Sequence, residues 1–163
     1  MEFKTLEKQE AQAFVDFFDA LVASTDYLLP TLEEAHATKE KQEARIEKFN
    51  DFKHVFIAKD GEKVVGFIGI SRMGATKEKH IANFAIGVLP DYRGQHIATS
   101  LFDMAEKWLK EKGVVRLEMT VITENTPAIA LYKKRGFKQE GLRERSVFMN
   151  NKYYDELYMS KFL

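Results

Sequence analysis

The sequence has no cysteine among its 163 residues. This absence excludes disulfide bridges, zinc sites built on thiolates and thiol nucleophiles, and it favours a reducing compartment for the protein.

The sequence also lacks an excess of charge of one sign and a long apolar segment. Lysine plus arginine and aspartate plus glutamate each number 25, so we expect no nucleic acid and no anionic membrane as a partner. No stretch approaches the roughly 20 apolar residues of a membrane span, and residues 1–12 are charged and interrupted rather than apolar. We therefore expect a cytoplasmic protein that recognises its ligands through local features.

The chain length fits one domain, which we assign to residues 1–163. Strand and helix patterns alternate along the second half, which predicts an α/β fold in which helices cross over a sheet. The predicted strands are 3–6, 54–58, 64–70, 81–89, 114–122 and a hairpin over 145–163 that turns at Asn150 and Asn151. The predicted helices are one through 14–21, a charged one over 32–49, one over 97–112, and one from Thr126 as N-cap to Gly136.

The most informative segment is the junction at residues 84–102, FAIGVLPDYRGQHIATSLF. Pro90 cannot donate to a sheet ladder, so it ends the pairing of the preceding strand and predicts an opening in the sheet. The backbone N–H groups of residues 94–98 lie at a helix N-terminus, where they lack intrahelical partners and favour an anion, and Arg93 adds a positive charge. This pattern predicts a phosphate site, although a glycine-containing turn between a strand and a helix is also common without a ligand.

Two known phosphate-binding patterns are absent from the sequence: G-x-x-x-x-G-K-S/T, and a G-x-G-x-x-G that follows a strand. Their absence argues against nucleotide hydrolysis and dinucleotide redox chemistry. The loop instead resembles the acetyl-CoA loop of the GCN5-related N-acetyltransferase (GNAT) superfamily, Q/R-x-x-G-x-G/A. Arg93 and Ala98 match the ends of that motif, and His96 replaces its middle glycine. A helical φ at His96 would accommodate this replacement.

A second motif strengthens the resemblance, because NTPAIALYKKRGF at residues 125–137 is similar to the family segment N-x-x-A-x-x-L-Y-x-x-x-G-F. The order of the elements also agrees over essentially the whole chain. The resemblance implies the acyl-CoA N-acyltransferase fold, an α/β fold with a mixed, largely antiparallel sheet that is splayed near Val88 and flanked by helices. It further implies a metal-free enzyme that moves an acetyl group from acetyl-CoA to a primary amine by direct attack in a ternary complex.

The last segment, residues 141–161, is similar to family branches that acetylate ribosomal-protein N-termini, polyamines or small amines. The implied acceptor is therefore a small-molecule amine or a protein N-terminus, and the resemblance also allows a homodimer. Two other functions stay open on the sequence alone: an acyl-CoA-binding module without turnover, and a protein-interaction domain that uses the charged helix at residues 33–48.

The resemblance also implies the cofactor contacts. The main-chain N–H of Val88 is expected against the thioester oxygen. Asn125 is expected against the pantetheine arm, and it is equally a candidate cap of the helix that follows it. The expected cofactor-binding residues are Val88, Arg93, Gly94, Gln95, His96, Ile97, Ala98, Thr99 and Asn125.

Two side chains are candidates for proton transfer. Tyr132 is the expected general acid, because a phenol with a pKa of about 10 can protonate the departing CoA thiolate; the alternative is a half-buried tyrosine with its hydroxyl satisfied elsewhere. Glu118 is the candidate general base, since strand alternation puts it on a polar face with Arg116 and Thr120. Its alternatives are an ion pair with Arg116 and a water chain that carries the proton.

The acceptor site is expected between residues 24–36 and the C-terminal hairpin. Carboxylates in these segments can attract a cationic amine, and the same groups are commonly solvated surface or helix-cap residues. We select Glu33 and Asp155 as substrate-binding candidates from the set Asp26, Glu33, Glu34, Asp155 and Glu156.

Overall fold

The computed structural model describes residues 1–163. Its strands are β1 (Glu2–Thr5), β2 (Lys53–Asp60), β3 (Lys63–Arg72), β4 (Ile81–Val88), β5 (Arg116–Ile122), β6 (Lys138–Met149) and β7 (Lys152–Phe162). Its helices are α1 (Ala11–Ala23), α2 (Leu32–Ala35), α3 (Lys39–Ile46), α4 (Ile97–Glu111) and α5 (Thr126–Lys134). The strands form one sheet in the order β1-β2-β3-β4-β5-β7-β6, and every neighbouring pair is antiparallel except β4 and β5.

The parallel pair β4 and β5 is joined over a short stretch only. Residues 81–83 of β4 pair with residues 116–118 of β5, and the two strands then separate. Beyond this point β4 stays paired with β3 as far as Val88, and β5 stays paired with β7 as far as Ile122. The sheet is therefore mixed, largely antiparallel and splayed before Val88, which confirms the predicted opening.

Two hydrophobic clusters cover the two faces of the sheet. The cluster that contains residues of α4 and α5 includes Leu101, Phe102, Leu117, Val121 and Tyr132. The cluster that contains residues of α1 includes Phe14, Phe17, Leu21 and Phe67. Because Leu117 and Val121 face α4, alternation along β5 turns Glu118 and Thr120 to the α1 face.

Gly66 of β3 lets the first turn of α4 contact the sheet. A Cβ at Gly66 would lie 3.0 Å from Cγ2 of Ile97 and 3.4 Å from Cδ1 of Leu101. This close contact fixes the N-terminus of α4 against the sheet near the end of β4. None of the helices combines the length and the apolar character that a bilayer span needs.

The prediction of one charged helix over residues 32–49 is wrong. Two helices, α2 and α3, occupy this segment, and His36 between them has an extended ψ of 129°. Each helix has its own cap, because the hydroxyls of Thr31 and Thr38 each accept the backbone N–H three residues later at 3.3 Å. Thr38 therefore starts a new helix instead of continuing the first one.

Two boundaries near the C-terminus also differ from the prediction. Asn125, rather than Thr126, is the N-cap of α5, and its Oδ1 accepts the N–H of Ala128 at 3.4 Å. β6 begins at Lys138, earlier than predicted. The sequence pattern did not show the first part of this strand, because two register shifts against β7 interrupt the alternation of its side chains. The hairpin turns where predicted, with left-handed φ angles of 52° at Asn150 and 56° at Asn151.

Candidate active site

The segment between β4 and α4 contains the predicted phosphate-binding loop. A 3-10 turn at Pro90–Tyr92 follows β4, and α4 begins at Ile97. Gly94 has a φ of 75° and His96 a φ of 61°, so the chain passes through left-handed conformations just before the helix. None of the backbone N–H groups of residues 94–99 makes a hydrogen bond within the protein. These donors are therefore free to bind an anion.

His96 lies in the left-handed region, not in the helical one that we expected from the sequence. A left-handed φ suits glycine, and histidine adopts it at a small energetic cost. His96 is the N-cap residue of α4, and its side chain is exposed. The histidine therefore follows a backbone path that glycine would follow without strain.

Arg93 fixes the loop to the end of β4, and Gln95 fixes it to the 3-10 turn that follows. Arg93 Nε donates to the carbonyl oxygen of Val88 at 3.2 Å, and Gln95 Nε2 donates to the carbonyl oxygen of Asp91 at 3.3 Å. Arg93 is exposed, so its positive charge lies at the surface beside the free N–H groups. An anion bound at this loop would meet both the charge and the backbone donors.

The backbone of Val88 faces the opening between β4 and β5. The N–H of Leu89 donates to the carbonyl oxygen of Val65 on β3 at 3.0 Å. Successive N–H groups of a strand point to opposite edges, so the N–H of Val88 points away from β3 and into the splay. The Val88 side chain packs against the cluster of α4, so the backbone and the side chain have separate surroundings.

A cavity of about 1650 Å³ occupies the splay and its surroundings. Its wall includes the loop residues 93–99 apart from Gln95. Further along, the wall includes Val88, Asn125, Tyr132, Thr120, Asp26 and Glu156. One cavity thus joins the loop with free N–H groups to a polar wall on β5 and β7.

Tyr132 of α5 is buried, with 7% of its surface exposed. Its ring packs among Phe84, Phe102 and Phe137, with centroids 5.7, 6.3 and 5.8 Å away. Burial raises the pKa of Tyr132 to about 12. Its hydroxyl makes no hydrogen bond within the protein and is not sealed from the cavity that the residue lines. Tyr132 is therefore a protonated donor at the cavity wall.

Glu118 forms the ion pair that was the alternative to a base role. Arg116 Nε donates to Glu118 Oε2 at 2.7 Å, and the same guanidinium binds Glu140. Hydrogen bonds to Glu140 and Glu118 raise the pKa of Arg116, and the hydrogen bond from Arg116 lowers the pKa of Glu140 to about 2. Glu118 also lines the cavity, at the end of the stretch where β4 and β5 are paired.

The structure separates the acidic residues expected at the acceptor site. Glu33 and Asp155 do not line the cavity: Glu33 is exposed on α2, and Asp155 Oδ1 accepts the backbone N–H of Arg145 at 2.7 Å. Their positions therefore do not support the choice of these two residues. Glu156 does line the cavity, with 3% of its surface exposed. The sequence did not single out Glu156, because its burial depends on the position of β7 between β5 and β6.

Comparison with known proteins identifies the family of this chain. Residues 20–137 match the model of the acetyltransferase (GNAT) family. The chain is 31% identical over 135 residues to L-amino acid N-acetyltransferase AaaT of Escherichia coli, a match that covers 80% of this chain and 81% of that protein. It is 40% identical over 92 residues to N-alpha-acetyltransferase RimI of Mycobacterium tuberculosis, a match that covers 56% of each chain.

Solved structures with a similar fold also belong to this family. The crystal structure of an acetyltransferase of the GNAT family from Streptococcus pneumoniae superposes with a TM-score of 0.94 at 26% identity, over 99% of each chain. The family match spans most of the chain, so the resemblance predicted from the two sequence motifs is confirmed. The chain therefore belongs to the GNAT family of acetyltransferases, and it is an N-acetyltransferase that uses acetyl-CoA.

Proposed function

We propose that the protein transfers the acetyl group of acetyl-CoA directly to a primary α-amine, within a ternary complex of enzyme, acetyl-CoA and acceptor. The observation that carries this proposal is the cavity that joins the free N–H groups of residues 94–99, the N–H of Val88, the Tyr132 hydroxyl and the carboxylate of Glu156. Direct transfer agrees with the absence of cysteine, since no thiol is available for a covalent acetyl-enzyme.

The loop is proposed to bind the pyrophosphate of acetyl-CoA. The backbone donors of Gly94, Gln95, His96, Ile97, Ala98 and Thr99 supply hydrogen bonds, the α4 dipole favours the negative charge, and Arg93 adds a cation. Asn125 is proposed to contact the pantetheine arm through its Nδ2, because its Oδ1 is already used to cap α5. The helix-capping and cofactor-binding interpretations of Asn125 are therefore compatible.

The chemistry needs a donor at the thioester oxygen and a proton for the leaving thiolate. The N–H of Val88 is proposed to stabilise the developing negative charge on the oxygen, because it points into the splay without a strand partner there. Tyr132 is proposed to protonate the thiolate, and its pKa of about 12 keeps the phenol protonated at neutral pH. Five carboxylates line the same cavity, and one of them is proposed to accept the proton of the amine: Asp26, Glu118, Glu124, Glu140 and Glu156.

The names of two curated relatives support an α-amine as the acceptor. One is named for L-amino acids and the other for N-alpha-acetylation. The carboxylates of Glu118 and Glu156 in the cavity wall on β5 and β7 also suit an acceptor that arrives as an ammonium ion. We therefore propose a free amino acid or a peptide N-terminus rather than an aromatic or fully substituted amine.

A screen of acceptors tests this function. Thiol release from acetyl-CoA is followed with L-amino acids, polyamines, amino sugars and peptides with a free N-terminus, and CoA binding is measured in parallel by calorimetry. We expect thiol release with an α-amine and one acetylated product per CoA. Binding of CoA with no release for any amine would indicate a binding module, and no binding of CoA would indicate an interaction domain.

We also propose that the protein is a cytoplasmic homodimer. Support for a dimer comes from β6, which forms a free edge of the sheet and exposes Leu142 and Phe148 with 49% and 60% of their surfaces accessible. Support for a cytoplasmic location comes from acetyl-CoA, which is a substrate of intracellular metabolism. Light scattering after gel filtration gives the oligomeric state, and cell fractionation gives the location.

A further inference from the structure

We infer that Glu156 is the residue that receives the acceptor: its carboxylate binds the amine and accepts the proton released as the N–C bond forms. This inference rests on the proposed function, because it assigns a role within the same reaction. It is carried by the burial of Glu156, by its two fixed hydrogen bonds and by its position in the sheet relative to Val88.

Glu156 is held in one orientation at the cavity wall. Its Oε1 accepts the hydroxyl of Thr120 at 2.7 Å, and its Oε2 accepts Nη1 of Arg143 at 3.0 Å. A carboxylate has about four acceptor sites, so these two bonds leave sites for an amine. Only 3% of Glu156 is exposed, whereas the Arg143 side chain is 51% exposed and does not line the cavity. Arg143 therefore backs the carboxylate from outside, and Thr120 is a positioning residue.

The register of the sheet places Glu156 close to the level of the end of β4. Val88 lies five residues beyond the last pair of β4 and β5, which is Asn83 with Glu118. At an equal rise per residue, the same level on β5 is reached at Thr123, one residue past Ile122 at the end of the strand. Glu156 of β7 pairs with Ile122. The carboxylate thus lies across β5 from the place where the thioester would meet the N–H of Val88.

Glu118 is less well placed for the same role. It precedes Ile122 by four residues on β5, a distance of about 13 Å along the strand at roughly 3.3 Å per residue. Both carboxylates form an ion pair with an arginine, Glu118 with Arg116 and Glu156 with Arg143, so the pairing does not distinguish them. The Glu118 side chain differs in being 29% exposed and in lying at the closed end of the splay. Glu118 is therefore five residues short of the level of Val88. Glu156, which pairs with Ile122, is about one residue short of it, and its carboxylate reaches back to Thr120.

Glu156 and Tyr132 lie on opposite faces of the split sheet. Leu157 and Met159 belong to the cluster that contains Tyr132, so alternation along β7 turns Glu156 to the other face. The acceptor therefore approaches from the α1 face, and the leaving sulfur meets the phenol on the α4 face. The thioester would therefore lie between the Glu156 carboxylate on one face and the Tyr132 phenol on the other.

The proton balance of the transfer follows from this arrangement. The acceptor ammonium ion first loses one proton to solvent. The neutral amine nitrogen then forms a bond to the acetyl carbon and gives a second proton to Glu156. The C–S bond breaks, and the thiolate takes the proton of Tyr132. Glu156 then releases its proton to solvent, and Tyr132 regains one from solvent. The products are the N-acetylated acceptor and CoA thiol.

The test compares Glu156→Gln with Glu106→Gln. Glutamine keeps the shape and the acceptor for Thr120 but removes the charge and the basicity. Glu106 is a matched control, since it is 13% exposed and bound to Arg135 and Lys161 at 3.0 and 2.7 Å, but lies outside the cavity. The probe acceptors are an L-amino acid and a peptide with an N-terminal alanine, whichever gives turnover with the wild type. CoA affinity and Tm are measured for each variant.

We expect Glu156→Gln to lower kcat at saturating amine by about 100- to 10,000-fold, with CoA affinity within a few-fold of the wild type. Its residual activity should rise with pH, because hydroxide then replaces the carboxylate as proton acceptor. Glu106→Gln should lower Tm without this loss of kcat. A kcat of Glu156→Gln within threefold of the wild type, even with a raised KM, would overturn the proton-accepting role.

A second variant covers the case in which Glu156→Gln does not fold. Thr120→Val keeps Glu156 and removes one bond that positions it, so kcat should fall about tenfold, the worth of one hydrogen bond, with CoA affinity unchanged. An unchanged kcat in Thr120→Val would contradict the positioning. Turnover by the wild type in the same assay tests the proposed function separately, so failure of that function and failure of the Glu156 role give different results.

Discussion

Arg93 donates a hydrogen bond from Nε to the carbonyl oxygen of Val88 at 3.2 Å. This contact joins the loop that precedes α4 to the strand end whose N–H points into the splay. In the proposed function the loop binds the pyrophosphate and Val88 binds the thioester oxygen of the same acetyl-CoA molecule. Because the loop is fixed relative to Val88, the thioester is oriented before the amine arrives. Orientation is the main requirement for transfer from an acyl donor that is already activated.

Gly94 tests the placement of the pyrophosphate. Its φ of 75° suits glycine, so Gly94→Ala should shift the loop and weaken CoA binding by roughly 5- to 30-fold, the equivalent of left-handed strain for a residue with a Cβ. Gly113 is a matched control, because it has a φ of 73° and, like Gly94, no atom within 4 Å of an added Cβ, but lies outside the cavity. Calorimetry should show a loss of CoA affinity in Gly94→Ala and none in Gly113→Ala, in which the strain appears as a loss of Tm. Equal CoA affinities would contradict the placement.

His96 tests whether the histidine of the loop is a structural replacement for glycine. With a φ of 61°, His96→Gly removes left-handed strain from the N-cap of α4. We expect an equal or higher Tm and an equal or lower Kd for CoA, measured by thermal unfolding and calorimetry. If His96→Gly abolished CoA binding, the imidazole itself would have to contact the cofactor.

Tyr132 tests the general acid. Tyr132→Phe keeps the ring among Phe84, Phe102 and Phe137 but removes the proton, so kcat should fall by roughly 10- to 1000-fold while the KM for acetyl-CoA stays within a few-fold. The measurement is steady-state kinetics under conditions where chemistry limits turnover. An unchanged kcat would reduce Tyr132 to a packing residue, and a kcat loss with a collapsed Tm would show a structural hydroxyl.

The raised pKa of Tyr132 also predicts how stability depends on pH. Burial raises the pKa of this phenol from about 10 to about 12, so folding favours its protonated form. The contribution to stability is fully present below pH 10 and is lost as the pH rises through 12; it is on the order of 2 kcal/mol. Denaturant titrations between pH 9 and 12 should therefore show a smaller loss of unfolding free energy in Tyr132→Phe than in the wild type. Identical losses would mean that the phenol is not desolvated.

The sequence predicts the geometry of the loop before α4 well, because the signals for it are local. Pro90 ends the pairing of β4, Gly94 permits the turn, and the start of α4 leaves backbone donors without partners; each effect involves residues within a few positions of one another. The splay begins after the pair of Asn83 and Glu118, seven residues before Pro90, so the proline marks the end of β4 but does not by itself separate β4 from β5. The family motif at residues 93–98 adds its conserved spacing to these local constraints.

The acceptor side is less predictable, because it depends on pairing between distant strands. In the sequence, nothing distinguishes Glu156 from other acidic residues of a C-terminal hairpin. In the structure, β7 lies between β5 and β6, and Glu156 accepts hydrogen bonds from Thr120 and Arg143. The register shifts of β6 remove the alternation that would have indicated this pairing. The break between α2 and α3 occurs because Thr38 caps a new helix instead of continuing the first one. The charged sequence around Thr38 is compatible with either structure, so it did not indicate the break.

Direct acetyl transfer is tested best by measuring initial rates of CoA release while the concentrations of acetyl-CoA and of an L-amino acid or peptide acceptor are varied together. Direct transfer in a ternary complex predicts intersecting double-reciprocal lines, with one acetylated amine formed per CoA and no acetylated enzyme in mass spectra. Parallel lines, with acetyl-enzyme formed in the absence of an acceptor, would contradict it.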